Sequence, residues 1–385
     1  MQYFNTLISS YSWEGITLIA LVLLLFSIQL FYYIFRFGCL SKYLNKNREA
    51  LHQTPPPISL VVPMFSEDYE YLDEALPLIL SQEAATFEVV IVYVGSNNDF
   101  FDDMLRLKTL FSNIVVTKIE LNERFPISIK TALNVGIKAS HYEHILFSTT
   151  DARPCSQMWI SLMARGFQRG DVVLGYCGIE KEQGRRGDSF IRLSRLTDSM
   201  MWLSRAIMGR PYRAIRSNMG FTRSLYFGSK GFNHLNMNIG EDDLFMQKIM
   251  KNDNTSVILS PRATLFQKSW GGVAGWVDSL RYYGSATQFY PISARNYVGW
   301  ELMSRVLLFL LVVVGILFLP LEVKILLSLL VVVRLVVVLT TINKVAARLG
   351  EEGVVGRYIF FDMVSPLFTL FMHIRMMKRD SRAWR

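Results

Sequence analysis

Cysteine is scarce in this chain: three residues, Cys39, Cys155 and Cys177, among 385. Their wide, odd spacing excludes a disulfide framework. With no CxxC pair and no Cys/His cluster, a zinc ribbon or finger is excluded as well. They read as buried or interfacial thiols of a reducing compartment. Charge is also scarce, at 19% against 51% hydrophobic residues, and the mean hydropathy is +0.25. That balance excludes a disordered chain and argues against a purely water-soluble one. What charge there is leans positive, with a formal net value of +9. Yet no stripe of basic and aromatic residues marks a nucleic-acid module, so no nucleic-acid partner is expected. In so apolar a chain the excess suits anionic membrane lipids first and phosphate ligands second. Sequence repeats and low-complexity tracts are absent too.

The apolar residues are concentrated at the two ends. From Gly15 to Phe35 no residue is charged. At 1.5 Å per residue, roughly 20 residues cross a ~30 Å hydrocarbon core, so this stretch is expected to be a transmembrane helix. It is too long for a signal-peptide core, and no small-residue cleavage site follows it. Glu14 precedes it, while Arg36, Lys42, Lys46 and Arg48 follow, which by the positive-inside rule sets its C-terminal side in the cytoplasm. Pro55-Pro56-Pro57 then forms a stiff spacer. Near the other end, Val306–Leu321 and Ile325–Ile342 are expected to be two short spans joined by a tight turn at Pro320, Glu322 and Lys324, behind the positive residues Arg295 and Arg305. Arg334 interrupts the second span and needs a partner, Asp362 being the nearest candidate acid. Tyr358–Ile374 is apolar but carries Asp362, Pro366 and His373, and a basic tail follows. With tail and domain both cytoplasmic, this segment is expected to be interfacial or re-entrant. The division expected is 1–37 membrane helix, 38–57 basic and proline linker, 58–297 catalytic domain and 298–385 membrane hairpin, interfacial segment and tail.

Between the ends, β-branched runs alternate with helical patterns. Strands are expected at Ile58–Pro63, Val89–Val94, Ile114–Ile119, His144–Thr149 and Val172–Cys177. Helices are expected at Tyr69–Ser81 (broken near Pro77), Phe101–Phe111 and Ile127–Ala139. Continuous apolar strands separated by helices indicate an α/β fold with a mostly parallel sheet covered on both faces. Ligands of such sheets sit at the carboxyl ends of the strands. Here those ends are Ser66-Glu67, Gly95-Ser96 and Asp151-Ala152-Arg153.

Three features could carry chemistry, and each has a plainer reading. Glu241-Asp242-Asp243 opens a helical pattern, where acids also serve as caps. Asp151 ends a buried strand, where a turn-forming Asp is as common. Arg281 lies amid Trp270, Trp276, Tyr282 and Tyr283, where a snorkelling arginine would also sit. Phe190–Met208, with Arg195 and Arg205, fits either the membrane surface or the core.

In this order the pieces resemble the membrane-bound family 2 glycosyltransferases. Pro63 and Glu67 match the family's first strand end, and Gly95-Ser96 its second turn. Ala132-Leu133-Asn134 and Gly136 match its next helix, Asp151 the first acid of Asp-x-Asp, Glu241-Asp242 the Glu-Asp pair, and Arg281 the arginine of Gln-x-x-Arg-Trp. The match covers about Ile58 to Tyr290. The resemblance implies a GT-A fold flanked by membrane helices and a nucleotide-sugar donor. It implies an inverting transfer to a lipid-linked or surface-glycan acceptor, in polysaccharide biosynthesis at a bacterial inner membrane. Asp242 would be the base, with Glu241 or Asp243 orienting it. Glu67, Gly95, Ser96, Lys130, Asp151, Arg153 and Arg281 would bind the donor. A divalent metal, Mg²⁺ or Mn²⁺, is typical of the family, and Asp151 would be its ligand. The chain departs from the pattern at the donor side. Ser66 stands for Asn, Tyr93-Val94 for a base-reading Asp, Ile129 for a Lys that Lys130 supplies one residue late, and Arg153 for the second acid. Asp278 to Tyr282 replaces Gln-x-x-Arg-Trp. With an arginine at position 153, donor binding is expected to depend little on a metal. The alternative is a catalytically impaired GT-A domain acting as a binding or partner subunit.

Overall fold

The computed structural model of the chain describes residues 13–43, 54–83, 86–121, 127–182, 184, 187–234, 242–269 and 272–379. Helix α1 (Trp13–Phe31) runs on through a wider π-helical turn, Tyr32–Phe37, into Gly38–Lys42. The first half of the domain alternates β1 (Ile58–Met64), α2 (Leu76–Leu80), β2 (Phe87–Val94), α3 (Asn98–Leu110), β3 (Ile114–Ile119), α4 (Ile129–Ala139) and β4 (His144–Phe147). Next come β5 (Ala152–Pro154), α5 (Trp159–Gly166), β6 (Val172–Leu174), β7 (Cys177–Ile179) and α6 (Asp188–Ile207). The domain then adds β8 (Met219–Thr222), α7 (Arg223–Gly228), α8 (Leu244–Ile249), β9 (Thr255–Val257) and β10 (Leu265–Gln267). Four helices close the chain: α9 (Gly272–Ala286), α10 (Ile292–Phe318), α11 (Leu321–Leu349) and α12 (Tyr358–Arg379).

Seven strands form one mixed sheet in the order β3-β2-β1-β4-β8-β6-β9, and only β8 runs against its neighbours. β1 is buried at every residue because helices cover both faces, so its sequence has no polar alternation to show. α4 lies close on the sheet: a Cβ on Gly136 would come 2.5 Å from Val61 Cγ1. Ser128 and Asn97 fix where α4 and α3 begin, each side chain accepting a backbone N–H of the first turn. Pro77 does not break its helix. A π-helical turn at Tyr71–Ala75 precedes α2 and takes up the missing donor.

The strand expected over Val172–Cys177 is two strands in two sheets. At Gly175 the chain leaves the large sheet, because Asn218 occupies the space a side chain would need, 2.6 Å from a Cβ there. Asn218 Nδ2 donates to Tyr176 O at 2.7 Å and to Ala263 O at 3.0 Å, while its Oδ1 accepts from Trp159 Nε1 at 3.0 Å. β7 joins the small sheet β5-β10-β7. That sheet carries Asp151, Arg153 and Gln267 to one place.

Among the described residues four helices are long and apolar enough to cross a membrane: Gly15–Lys42, Ile292–Phe318, Leu321–Leu349 and Val355–Met372. The two C-terminal spans are longer than expected, 27 and 29 residues. Their charged flanks are helical too, since Glu301 and Arg305 are buried in ion pairs with each other. The turn between them is tighter than expected, with α11 starting at Leu321 directly after Pro320. Tyr358–Ile374 is one helix with α12, packed on α9, α10 and α6. Arg334 meets Asp362, as expected, through a two-pronged pair. It also donates to Gln29 Oε1 at 2.8 Å, and Asp362 accepts a further bond from Arg305 at 3.4 Å. Finally, Glu351, just beyond α11, reaches back into the domain. It accepts from Tyr176 Oη at 2.7 Å and from Arg192 Nη2 at 2.8 Å, all three being buried.

Candidate functional site

The carboxyl ends of β1, β4 and β10 surround a set of adjoining cavities. One of about 570 Å³ is lined by Glu67, Asp68, Asp151, Arg153 and Lys268 among others. Asp151 and Lys268 also line a second, of about 240 Å³. The second shares Arg195, Gln267 and Tyr283 with a third, of about 320 Å³, which Asp242 borders. A fourth, of about 140 Å³, shares Ser194, Asp198, Trp276 and Leu280 with the second. It opens among Tyr33, Glu301, Arg305, Ile342 and Phe361, where the sheet domain meets the apolar helices.

The acidic stretch divides into different roles. Glu241 lies outside the described residues. Asp243 caps α8, accepting from Leu244 N at 2.6 Å, and takes a bond from Tyr290 Oη at 3.0 Å. Burial and then the charge of the adjacent Asp242 push its carboxyl up to about 7. Asp242 instead faces the third cavity. Its Oδ2 accepts from Tyr283 Oη at 2.9 Å, while Oδ1 is buried with no hydrogen-bond partner among the described residues. Arg213 stacks on the Tyr283 ring at 3.7 Å and pairs with Asp198 at 2.8 Å, which holds the phenol in place. A buried carboxylate that borders a cavity of this size can take a proton from a hydroxyl placed there.

On the other side, Asp151 accepts from Gln267 Nε2 at 3.2 and 3.4 Å. Glu67 is exposed and accepts from Tyr93 Oη at 2.7 Å, which holds its carboxyl below the usual range. Tyr93 itself is buried, and its ring lies under Gly95, where a Cβ would come within 2.3 Å. Gly95 is therefore required by its neighbour. Arg153 pairs with Glu70 at 3.3 Å and Glu74 at 3.9 Å, and Lys268 also meets both acids. Gly95, Ser96, Lys130 and Arg281 line none of these four cavities. Arg281 pairs with Asp278 at 2.8 Å on its own helix and is 47% exposed. Arg195, Arg213, Gln267, Lys268 and Tyr283 were not singled out as site residues by sequence. The nearest signal was Arg192 and Arg195 one turn apart on α6, which reads equally as an interfacial helix.

The residues present do not fit a divalent metal. Among the described residues no three His, Cys, Asp or Glu side chains come together. Asp151, the expected ligand, is held by an amide donor, and its cavity is flanked by Arg153 and Lys268.

No protein-family profile matches the chain, and no curated protein does. Among solved structures the fold is similar to that of the mannosyltransferase PcManGT from Pyrobaculum calidifontis in complex with GDP-Man and Mn²⁺. The identity is 16% over 87% of this chain and 98% of that one, with a TM-score of 0.57. S. aureus TarS 1-349 in complex with UDP-GlcNAc is more distant, at 16% identity, 81% and 92% coverage and a TM-score of 0.42. At this identity the likeness is one of fold.

Proposed function

We propose that this chain is a membrane-anchored inverting glycosyltransferase with a GT-A domain, akin to the family 2 enzymes. The observation that carries the proposal is the pair of carboxylates, Asp151 and Asp242. Remote in sequence, they border adjoining cavities at the strand ends, with Arg195, Gln267 and Tyr283 common to both spaces. In this reading the nucleotide sugar lies in the cavity of Glu67, Asp151 and Arg153. The acceptor hydroxyl lies over Asp242. Its oxygen attacks the anomeric carbon while the bond to the diphosphate breaks and its electron pair leaves with the phosphate oxygen. The hydroxyl proton passes to Asp242. One displacement by one base inverts the anomeric centre. General-base help of this kind contributes ~10²–10⁴-fold.

The cavity between α6, α9 and the apolar helices adjoins the Asp151 cavity, which suits a lipid-linked acceptor arriving from the membrane. Positive residues after α1 (Arg36 and Lys42) support a cytoplasmic domain. Arg305 does not count toward that rule, because it is buried against Glu301 and Asp362. Cysteines placed at Glu322 and Arg106 of intact cells test the orientation: only the first should react with an impermeant thiol reagent.

One observation favours an impaired, binding-only domain. Arg153 and Lys268 are both neutralised by Glu70 and Glu74. Incubating the full-length protein with a panel of nucleotide sugars, GDP-mannose first, with and without Mg²⁺ or Mn²⁺, separates the readings. Released nucleoside diphosphate is the expected result. Donor binding without release in any combination would favour the binding subunit.

A further inference from the structure

A departing diphosphate needs fixed positive charge, and several cations near the strand ends are engaged with the protein's own acids. Arg153 and Lys268 are held by Glu70 and Glu74 and Arg281 by Asp278, while Arg213 gives Nη1 to Asp198 and its face to the Tyr283 ring and keeps Nε and Nη2 without a hydrogen bond among the described residues. Arg195 is different. It lines the two cavities next to the Glu67 cavity, one bordered by Asp151 and the other by Asp242. Among the described residues its guanidinium forms no hydrogen bond and no ion pair, although the residue is largely withdrawn from solvent. A guanidinium cannot shed its proton at any ordinary pH, so its charge in a partly dry space calls for an anion. Its planar fork matches two phosphate oxygens.

The helix that carries it is fixed on both sides. Arg192, one turn before, is locked onto Glu351 at 2.8 Å. Ser194 accepts from Trp276 Nε1 at 2.8 Å. The backbone that carries the guanidinium is therefore held in place before any ligand arrives, which favours a preorganised cation.

We propose that Arg195 is the phosphate-binding cation of this site, meeting the leaving diphosphate where a divalent ion does not fit. The inference rests on the glycosyltransferase reading. As the bond between the anomeric carbon and the phosphate oxygen breaks, the electron pair stays on that oxygen. Arg195 meets the new charge with two N–H donors and gives up no proton.

The test uses the full-length protein in micelles with EDTA present, titrated with inorganic pyrophosphate and a panel of nucleoside diphosphates. Binding without metal is expected. Arg195→Gln should weaken it by about tenfold or more, as for loss of a charge-assisted contact, and Arg195→Lys by less. Arg106→Gln, on exposed α3, should bind as wild type. Wild-type protein supplies a readout that needs no variant. Phenylglyoxal should modify Arg195, and pyrophosphate should shield it, read by peptide mass spectrometry. Binding that appears only with Mn²⁺, or Arg195 modified equally with and without bound pyrophosphate, would overturn the proposal alone. Failure of the wild type to bind pyrophosphate or any nucleoside diphosphate, with or without Mn²⁺, would overturn the glycosyltransferase reading along with it.

Discussion

Two clusters of buried charge in this molecule are built differently. Between the apolar helices, Arg334, Arg305, Asp362 and Glu301 form two positive and two negative groups that meet one another, with Gln29 taking up a further donor. Glu301 and Arg305 also line the fourth cavity, but each charge has its partner inside the cluster. At the strand ends, Asp242 keeps one oxygen and Arg195 its whole fork without a partner among the described residues, and both residues line the third cavity. Burial alone therefore does not distinguish a functional charge from a structural one. The distinguishing feature is whether the protein itself supplies the partner. A closed cluster holds helices in register, and breaking it leaves an uncompensated charge in a dry place. An open one is incomplete until a ligand arrives.

The comparison breaks most decisively at Asp242. Asp242→Asn keeps the shape and loses the proton affinity, so turnover should fall ~10²–10⁴-fold while nucleoside diphosphate binding changes less than about twofold. Near wild-type turnover would make Asp242 one more structural acid. Next in size is the closed cluster. Asp362→Asn strands two arginines, and a loss of ~3–5 kcal/mol is expected in unfolding within the micelle. Turnover per folded molecule should change little. The reverse pattern, intact stability with lost turnover, would move this cluster to the functional side.

Tyr283→Phe is a smaller cut at the open site. It removes one hydrogen bond to a carboxylate, ~1.5–3 kcal/mol, and turnover should drop roughly tenfold or somewhat more, with the melting temperature nearly unchanged. The smallest effect concerns Asp243. Its folded value of about 7 lies above the ordinary 3.8. The folded chain thus holds a proton that the unfolded chain has lost, so this contribution is full below about pH 4 and disappears as pH rises through 7. Asp243→Asn should flatten that decline in a series of melting curves, since the amide oxygen can still cap α8 while its Nδ2 donates to Tyr290 Oη.

Much of the sheet was legible because β-branched runs without polar alternation can only be strands buried on both faces. Ile114–Ile119 has the bounds expected, and Ile58–Met64 differs by one residue. Val172–Cys177 was not legible in detail, because the partner that turns it, Asn218, comes from far along the chain. At the site, the strand end announced Asp151 and the acidic run announced Asp242. Asp243 beside it proved to be the cap that the plainer reading described. Arg195 had no such announcement. In sequence it is a twin of Arg192, and only the fold reveals that Glu351 takes one and leaves the other. Arg281 reads in sequence as a site residue, yet a local acid one turn away occupies it.

The clasp of Glu351 on Tyr176 and Arg192 has a mechanical consequence. It joins the end of α11 to the same helix that bears Arg195, so membrane hairpin and sheet domain move as one body. From Arg334 to Leu349, 15 residues of helix span about 22 Å. In the proposed function that length would act as a gauge, setting the height above the bilayer midplane at which Asp242 works. An acceptor hydroxyl carried at another height would be refused whatever sugar it belongs to. Inserting one helical turn into α11 should then shift which acceptor length is accepted, and an unchanged preference would show that the clasp sets no height.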